Sequence, residues 1–153
     1  MIAFLEIIYF IFFSISVISF LIYIYKSLRK QSDFKYFLIT LLFFVINIFI
    51  DNELSNLVIN EIKTEINNSN KIIFINDNKN QIEINKNSPE LKINTSSRKH
   101  SEKKIENYLL MSPKNIRIIL KEDSKSKGKF WIKYPKYYFS NIKAIGYLEL
   151  NFR

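Results

Sequence analysis

Residues 7–25 read IIYFIFFSISVISFLIYIY, a run of 19 residues without a single charged side chain. A helix rises about 1.5 Å per residue, so this run is long enough to cross the ~30 Å hydrocarbon core of a bilayer. Buried helices of water-soluble proteins rarely run this long without a charge. The run therefore predicts a first membrane-spanning helix over about residues 7–25.

A second apolar run follows after a short polar loop. Residues 36–50 read YFLITLLFFVINIFI and are also uncharged, but 15 residues are fewer than the ~17 that a span usually needs. Adding Phe34 and Lys35 reaches that length, because Lys35 can extend its ammonium group to the lipid headgroups. We predict a second spanning helix over about residues 34–50, with a re-entrant or interfacial segment as the alternative. Residues 1–50 then form an antiparallel transmembrane helical hairpin.

The N-terminus does not have the features of a cleaved signal peptide. The chain begins MIAFLE, without Lys or Arg, and the first run ends at Tyr25 without the small residues that cleavage requires. We therefore expect the first helix to be an uncleaved anchor.

The charges that flank the two runs predict the orientation in an inner or plasma membrane. Residues 26–35 carry four basic side chains and one acidic one, whereas residues 51–66 carry one basic and four acidic. Basic flanks stay in the cytoplasm, so we expect loop 26–35 there and both the N-terminus and the C-terminal domain outside. The basic residues beyond position 98 are too far from a helix end to reverse this expectation.

After the second run, apolar side chains recur at intervals of three and four. This spacing predicts that residues 51–67 continue as an amphipathic helix, with its apolar stripe packed on the following domain or on a partner helix. The asparagine-rich residues 67–70 are expected to end it. The stripe consists of Ile50, Leu54, Leu57, Val58, Ile62 and Ile66.

Residues 68–153 show the alternating pattern of short β-strands. The predicted fold class is therefore a membrane α-helical hairpin plus a small α+β, mainly antiparallel β, extramembrane domain. Residues 95–104 are polar and predict an exposed loop. Near the C-terminus, Phe130, Ile132 and Tyr134 are expected on one face of a strand, and Lys129, Trp131 and Lys133 on the other. The strands are expected at residues 71–76, 81–85, 105–111, 116–121, 129–134 and 148–152.

The composition excludes several kinds of chemical site. The chain has no Cys, two Gly and one His, which rules out disulfides, thiol nucleophiles, glycine-rich phosphate loops and multi-histidine metal centres. His100 lies in a polar stretch beside Arg98 and Lys99, and no serine has a nucleophile motif around it. An exposed loop histidine is the better interpretation. We expect no catalytic, metal or cofactor site and no enzymatic activity.

The strongly basic last third of the chain is interleaved with aromatic residues. In the cytosol this mixture would suggest single-stranded nucleic acid, but the expected location outside argues against that partner. We instead predict an interaction surface for a protein, a lipid headgroup or a glycan, with an ordinary solvated sheet face as the alternative. Its residues are Lys129, Trp131, Lys133, Lys136, Tyr137 and Tyr138.

Asn47 is the only strongly polar residue within the second run. An amide in lipid needs a partner on a neighbouring helix, and antiparallel packing would bring Asn47 level with residues 6–9. We predict a contact between Glu6 and Asn47 that closes the hairpin. The alternative is that Asn47 faces the headgroups at the helix end.

Three functions fit these features. The first is a non-enzymatic protein-binding protein of the cell envelope, for example an immunity protein against a toxin. The second is an accessory subunit of a larger membrane complex, and the third is a module that binds anionic lipid or glycan. We expect membrane lipid and another protein as partners, with neither nucleic acid nor a small-molecule substrate.

Overall fold

The computed structural model describes residues 1–29, 34–84, 92–94 and 102–150. Two long helices precede a small antiparallel sheet, which confirms the predicted order of elements. The chain divides into two compact units, residues 1–54 and residues 55–153, which we call the hairpin and the C-terminal domain. The elements are α1 (Ile2–Leu28), α2 (Phe34–Asn68), β1 (Lys71–Ile75), β2 (Gln81–Ile84), β3 (Lys92–Asn94), β4 (Glu102–Ser112), β5 (Ile116–Asp123), β6 (Lys129–Lys133), α3 (Tyr138–Ile142) and β7 (Gly146–Glu149).

Both α1 and α2 are long and apolar enough to cross a membrane. Most large apolar side chains of the hairpin are exposed, among them Phe4, Leu21, Leu42 and Phe49. A helix in the core of a water-soluble protein would bury such side chains, so this exposure fits a lipid environment. The orientation in the membrane stays a prediction.

Side-chain contacts show how α1 and α2 pack within the hairpin. Phe12 meets Phe43 with ring centroids 5.3 Å apart, and Tyr23 meets Phe37 at 5.6 Å. Higher numbers on α1 therefore face lower numbers on α2, which is the predicted antiparallel arrangement. Ser16 is buried and donates a hydrogen bond to the carbonyl of Thr40 at 3.4 Å, because its small side chain allows the two backbones to approach closely.

The part of α2 that belongs to the C-terminal domain is amphipathic, as its spacing predicts. Asn56 and Asn60 are exposed on the opposite side from the apolar stripe. The helix ends at the predicted asparagine-rich stretch, where the Ser69 hydroxyl donates to the carbonyl of Glu65 at 2.6 Å. The stripe buried in the domain core consists of Val58, Ile59, Ile62 and Ile66.

Six strands form the sheet in the order β2-β1-β4-β5-β6-β7, and the three-residue strand β3 extends it beyond β7. Every neighbouring pair is antiparallel. Phe74 on β1 touches Phe130 on β6 with centroids 5.5 Å apart, although two strands lie between them, so the sheet curves around its apolar face. That face buries Ile72, Phe74, Leu109, Met111, Ile118, Leu120, Phe130, Ile132 and Leu148.

Several strand boundaries differ from the sequence predictions. The hairpin of β1 and β2 is confirmed, with Ile75 paired to Gln81 across the predicted turn. The predicted loop 95–104 is wrong for residues 102–104, since β4 begins at Glu102 and pairs it with Asp123 of a longer β5. Strand β3 and helix α3 were not predicted. His100 and the rest of that loop, residues 95–101, lie outside the described residues, as does Phe152.

Candidate interaction surface

Trp131 is not on an exposed surface, contrary to the prediction from its alternation. Its side chain is 1% exposed, and its indole N–H donates to Oδ2 of Asp123 at 2.9 Å. The Tyr147 ring meets it edge-on at 5.9 Å, and the Lys129 ammonium lies 5.0 Å from its ring centroid. Both faces of β6 are therefore covered, a packing arrangement that a two-residue alternation cannot reveal. Trp131 is therefore part of the packing of the domain.

Asp123, at the end of β5, organises the turn that leads into β6. Its carboxylate is buried, and Oδ1 accepts the backbone N–H groups of Lys125 at 2.8 Å and Ser126 at 3.0 Å. With the Trp131 indole it thus has three donors, which offsets the cost of burying its charge. An Asp followed by Ser and Lys is a turn signal in the sequence, but its link to Trp131 depends on the fold.

The lysines expected beside Trp131 are also engaged within the sheet. The Lys133 side chain is 16% exposed, and its ammonium lies 3.9 Å from a carboxylate oxygen of Glu102. Lys129 is half-buried, with its ammonium 3.8 Å above the Tyr147 ring. These cations are held by neighbouring acids and rings, so this face carries less free positive charge than the sequence indicates.

Lys136 and Tyr137 meet Glu61 of α2. The Lys136 ammonium pairs with Oε1 of Glu61, the Tyr137 hydroxyl donates to Oε2 at 2.7 Å, and the Tyr134 hydroxyl lies 3.4 Å from Oε1. Burial raises the pKa of Glu61, but the hydrogen bonds from Lys136 and Tyr137 outweigh it and hold that pKa below its usual value. Burial, reinforced by the Glu61 charge, raises the pKa of Tyr134 to about 12. This cluster fastens the segment after β6 to the helix.

Helix α3 has a buried side that is held by hydrogen bonds and a side that is exposed. The Ser140 hydroxyl donates to the carbonyl of Tyr134 at 2.6 Å, and the Tyr134 N–H donates to the Ser140 carbonyl at 2.9 Å. Phe139 is buried beside Ser140. Tyr138 is 64% exposed and Ile142 is 51% exposed, and residues four apart on a helix share one side. The sequence prediction did not include Ile142, because a helix of five residues is too short to be recognised from the spacing of its apolar side chains.

No hydrogen bond joins Glu6 to Asn47, and the predicted contact between the two side chains stays a prediction. Asn47 is 6% exposed, and within the described residues neither its Oδ1 nor its Nδ2 has a hydrogen-bond partner. The alternative, in which Asn47 faces the headgroups, disagrees with the burial of this side chain. Asn47 is thus an unsatisfied amide inside a helix that is apolar enough to cross a membrane.

Within the described ranges, no three His, Asp or Glu side chains come together in a way that could hold a metal ion.

The six residues predicted as an interaction surface have different surroundings in the structure. Trp131 is buried, Lys129 and Lys133 are engaged on the sheet, and Lys136 and Tyr137 are bound to Glu61, while Tyr138 is largely exposed.

No protein-family model, curated protein or solved structure matches this chain.

Proposed function

We propose that this is a membrane-anchored, non-enzymatic protein that binds another protein through the surface of α3. We define this α3 surface as Lys136, Tyr138 and Ile142. The observation that carries the proposal is the exposure of Tyr138 and Ile142 on a segment whose backbone is held by buried hydrogen bonds.

The chemistry of this surface suits a protein partner. Tyrosine is enriched where proteins meet, because its ring buries much area while few torsions are lost. The backbone of α3 is already ordered by Ser140 and Phe139, so binding costs little further conformational entropy. Lys136 is exposed although it pairs with Glu61, and it adds a polar rim.

The expected setting of the partner comes from the charges that flank the two helices. Acidic residues in 51–66 and basic residues in 26–35 support a location of the C-terminal domain outside the cytoplasm. The partner is then a protein of the cell envelope or one that arrives there, as a toxin does for an immunity protein.

Cross-linking from the α3 surface tests this function. The chain lacks Cys, so Tyr138→Cys gives a single site for a photoactivatable cross-linker in the full-length protein within its own membranes. We expect one discrete cross-linked protein. The double variant Tyr138→Ser with Ile142→Ser carries no cross-linker, so it is tested by co-purification of the identified protein with the full-length chain. We expect that co-purification to fall at least about tenfold, since each buried apolar side chain contributes roughly 1.5 kcal/mol or more.

A control variant removes two other exposed apolar side chains of the domain. Ile82→Ser with Ile105→Ser changes two exposed isoleucines of the sheet, on β2 and β4. This control should retain the partner. Equal loss in both double variants, or cross-linking spread over many proteins, would contradict binding at α3.

The unsatisfied amide of Asn47 favours a second candidate, an accessory subunit of a larger membrane complex. An unpartnered amide in a bilayer costs free energy, which a polar side chain of another protein's helix could recover after Asn47 rotates outward.

For this candidate, Asn47→Leu is expected to raise the stability of the detergent-solubilised, isolated protein by about 1–2 kcal/mol, because an unpaired polar group is replaced by an apolar one. Helical circular dichroism during heating measures the change, and Thr40→Val serves as a control substitution on the same helix. Under this candidate the same variant loses a co-purifying membrane protein in native membranes. Lower stability of Asn47→Leu in isolation would instead mean that Asn47 has a partner within the hairpin.

A further inference from the structure

One end of the sheet carries exposed lysines on two neighbouring segments. Glu102 pairs with Asp123, so the start of β4 and the turn after β5 lie at the same end. Lys104, Lys125 and Lys127 are exposed there, and none of them makes an ion pair with another described residue. We call these three residues the lysine end.

The acidic side chains at this end do not neutralise the three lysines. Four of them are engaged with other groups of the domain, and the fifth, Glu149, lies opposite Lys129 at the end of β7. Glu122 pairs with Lys103, Glu106 with Lys121 at 3.1 Å, Glu102 with Lys133 at 3.9 Å, and Asp123 with the Trp131 indole and two backbone N–H groups. The three lysines of the lysine end outnumber the one acidic side chain there that makes no ion pair with a described residue, Glu149, so positive charge is in local excess.

Hydrogen bonds hold the backbone of the turn that presents Lys125 and Lys127. Asp123 accepts two of its backbone N–H groups, and Gly128 follows with φ of 78°, a value that costs other residues a steric penalty. The Leu150 N–H donates to the Gly128 carbonyl at 2.9 Å and ties the turn to the end of β7. The backbone holds the two lysines at one position while their flexible side chains can adapt to a ligand.

We propose that the lysine end binds anionic lipid headgroups of the bilayer to which this chain is anchored. Lysine is a compact point charge on a flexible stem, which suits phosphates whose positions vary, and it is depleted at protein–protein interfaces. Ile105, which follows Lys104 in β4, is an exposed apolar side chain at the same end of the sheet. Two helices able to cross a membrane keep the domain close to headgroups at high effective concentration.

The expected strength follows from the number of lysines. Each Lys near an anionic surface favours the bound state about fivefold at physiological salt, and the attraction weakens as salt shortens the Debye length. Loss of two lysines should therefore lower the ratio of lipid-bound to unbound domain about 25-fold. This inference depends on membrane attachment and not on a protein partner, so it can fail or hold independently of binding at α3.

A fluorescent label in the turn measures this contact directly. Ser126→Cys gives the full-length protein a single thiol for a donor dye, and the protein is placed in nanodiscs with an acceptor dye on the lipid headgroups. One nanodisc is made of phosphatidylcholine and the other of an equal mixture of phosphatidylcholine and phosphatidylglycerol. We expect energy transfer to be higher in the anionic disc and to fall towards the neutral value when salt is added.

Two double variants, each of which loses two positive charges, distinguish binding at the lysine end from attraction of the whole basic domain to an anionic membrane. Lys125→Gln with Lys127→Gln should abolish the gain in the anionic disc, whereas Lys63→Gln with Lys79→Gln removes two exposed lysines of α2 and the β1–β2 turn and should keep it. Equal energy transfer in the two discs, or equal loss in both double variants, would overturn the proposal. Salt-sensitive binding of polyglutamate at this end without a response to phosphatidylglycerol would also overturn it, and would assign the surface to an acidic protein.

Discussion

Asp123→Ala is expected to lower the free energy of unfolding of the C-terminal domain by about 3 kcal/mol, a large fraction of the stability of a small domain. The substitution leaves the buried Trp131 indole and the N–H groups of Lys125 and Ser126 without their acceptor. The chain has a single Trp, buried in this domain. Its emission therefore reports unfolding of the domain by urea in the full-length, detergent-solubilised protein.

A second aspartate provides the control for this substitution. Asp77 is exposed in the turn between β1 and β2, and Asp77→Ala should change stability by no more than about 0.5 kcal/mol. Asp123→Asn keeps the shape of the side chain and one acceptor oxygen, so its loss of stability should lie between those of Asp123→Ala and Asp77→Ala. If Asp123→Ala were as stable as Asp77→Ala, the bonds around Asp123 would not hold the turn and Trp131 in place.

Glu61→Gln is expected to cost the domain about 2 kcal/mol near neutral pH, because it removes the charge that binds Lys136 and Tyr137. Lys136→Met removes the other side of the pair while keeping a long side chain. In a double-mutant cycle the two changes should be less than additive, since both remove the same ion pair. Additive costs would show that Glu61 and Lys136 act independently.

The pH dependence of this difference follows from the pKa of Glu61. The folded protein lowers that pKa below its usual 4.5, so the carboxylate stabilises the domain fully above the unfolded pKa. The extra stability of the unmodified protein over Glu61→Gln is lost as the pH falls through the pKa of Glu61 in the folded state, because the Glu61 side chain then becomes neutral like Gln. Urea unfolding from pH 7 down to about pH 3 should show the two curves converging at the acidic end. Constant separation across this range would exclude Glu61 as the titrating group.

The elements that the sequence predicted well depend on local pattern. Long uncharged runs predicted the two long helices. Spacings of three and four predicted the amphipathic end of α2, because an α-helix repeats every 3.6 residues in any surroundings. The alternation of Phe130, Ile132 and Tyr134 predicted a shared face, and the structure buries all three side chains. The start of β4 was missed, since Glu102, Lys103 and Lys104 are polar and read as a loop. Their strand is stabilised by cross-strand partners on β5.

The candidate site was harder to predict than the fold. The sequence identified the basic, aromatic segment around residues 129–138, but it could not tell an exposed aromatic residue from a buried one. Tyr138 and Trp131 look alike in the sequence, yet one projects from α3 and the other donates to Asp123. The difference arises from contacts between residues eight or more positions apart, which local pattern does not record.

By itself, the sequence determined that this chain has two helices suited to a bilayer, a small antiparallel sheet after them, and an excess of positive charge towards its end. These properties follow from hydrophobic length, residue periodicity and charge, and each is local along the chain. Only the tertiary structure decided which charges are free. It pairs Glu61 with Lys136 across 75 positions, buries Asp123 where it accepts a hydrogen bond from Trp131, and leaves Lys104, Lys125 and Lys127 exposed. Charge becomes available to a partner only where folding leaves it without an opposite charge nearby.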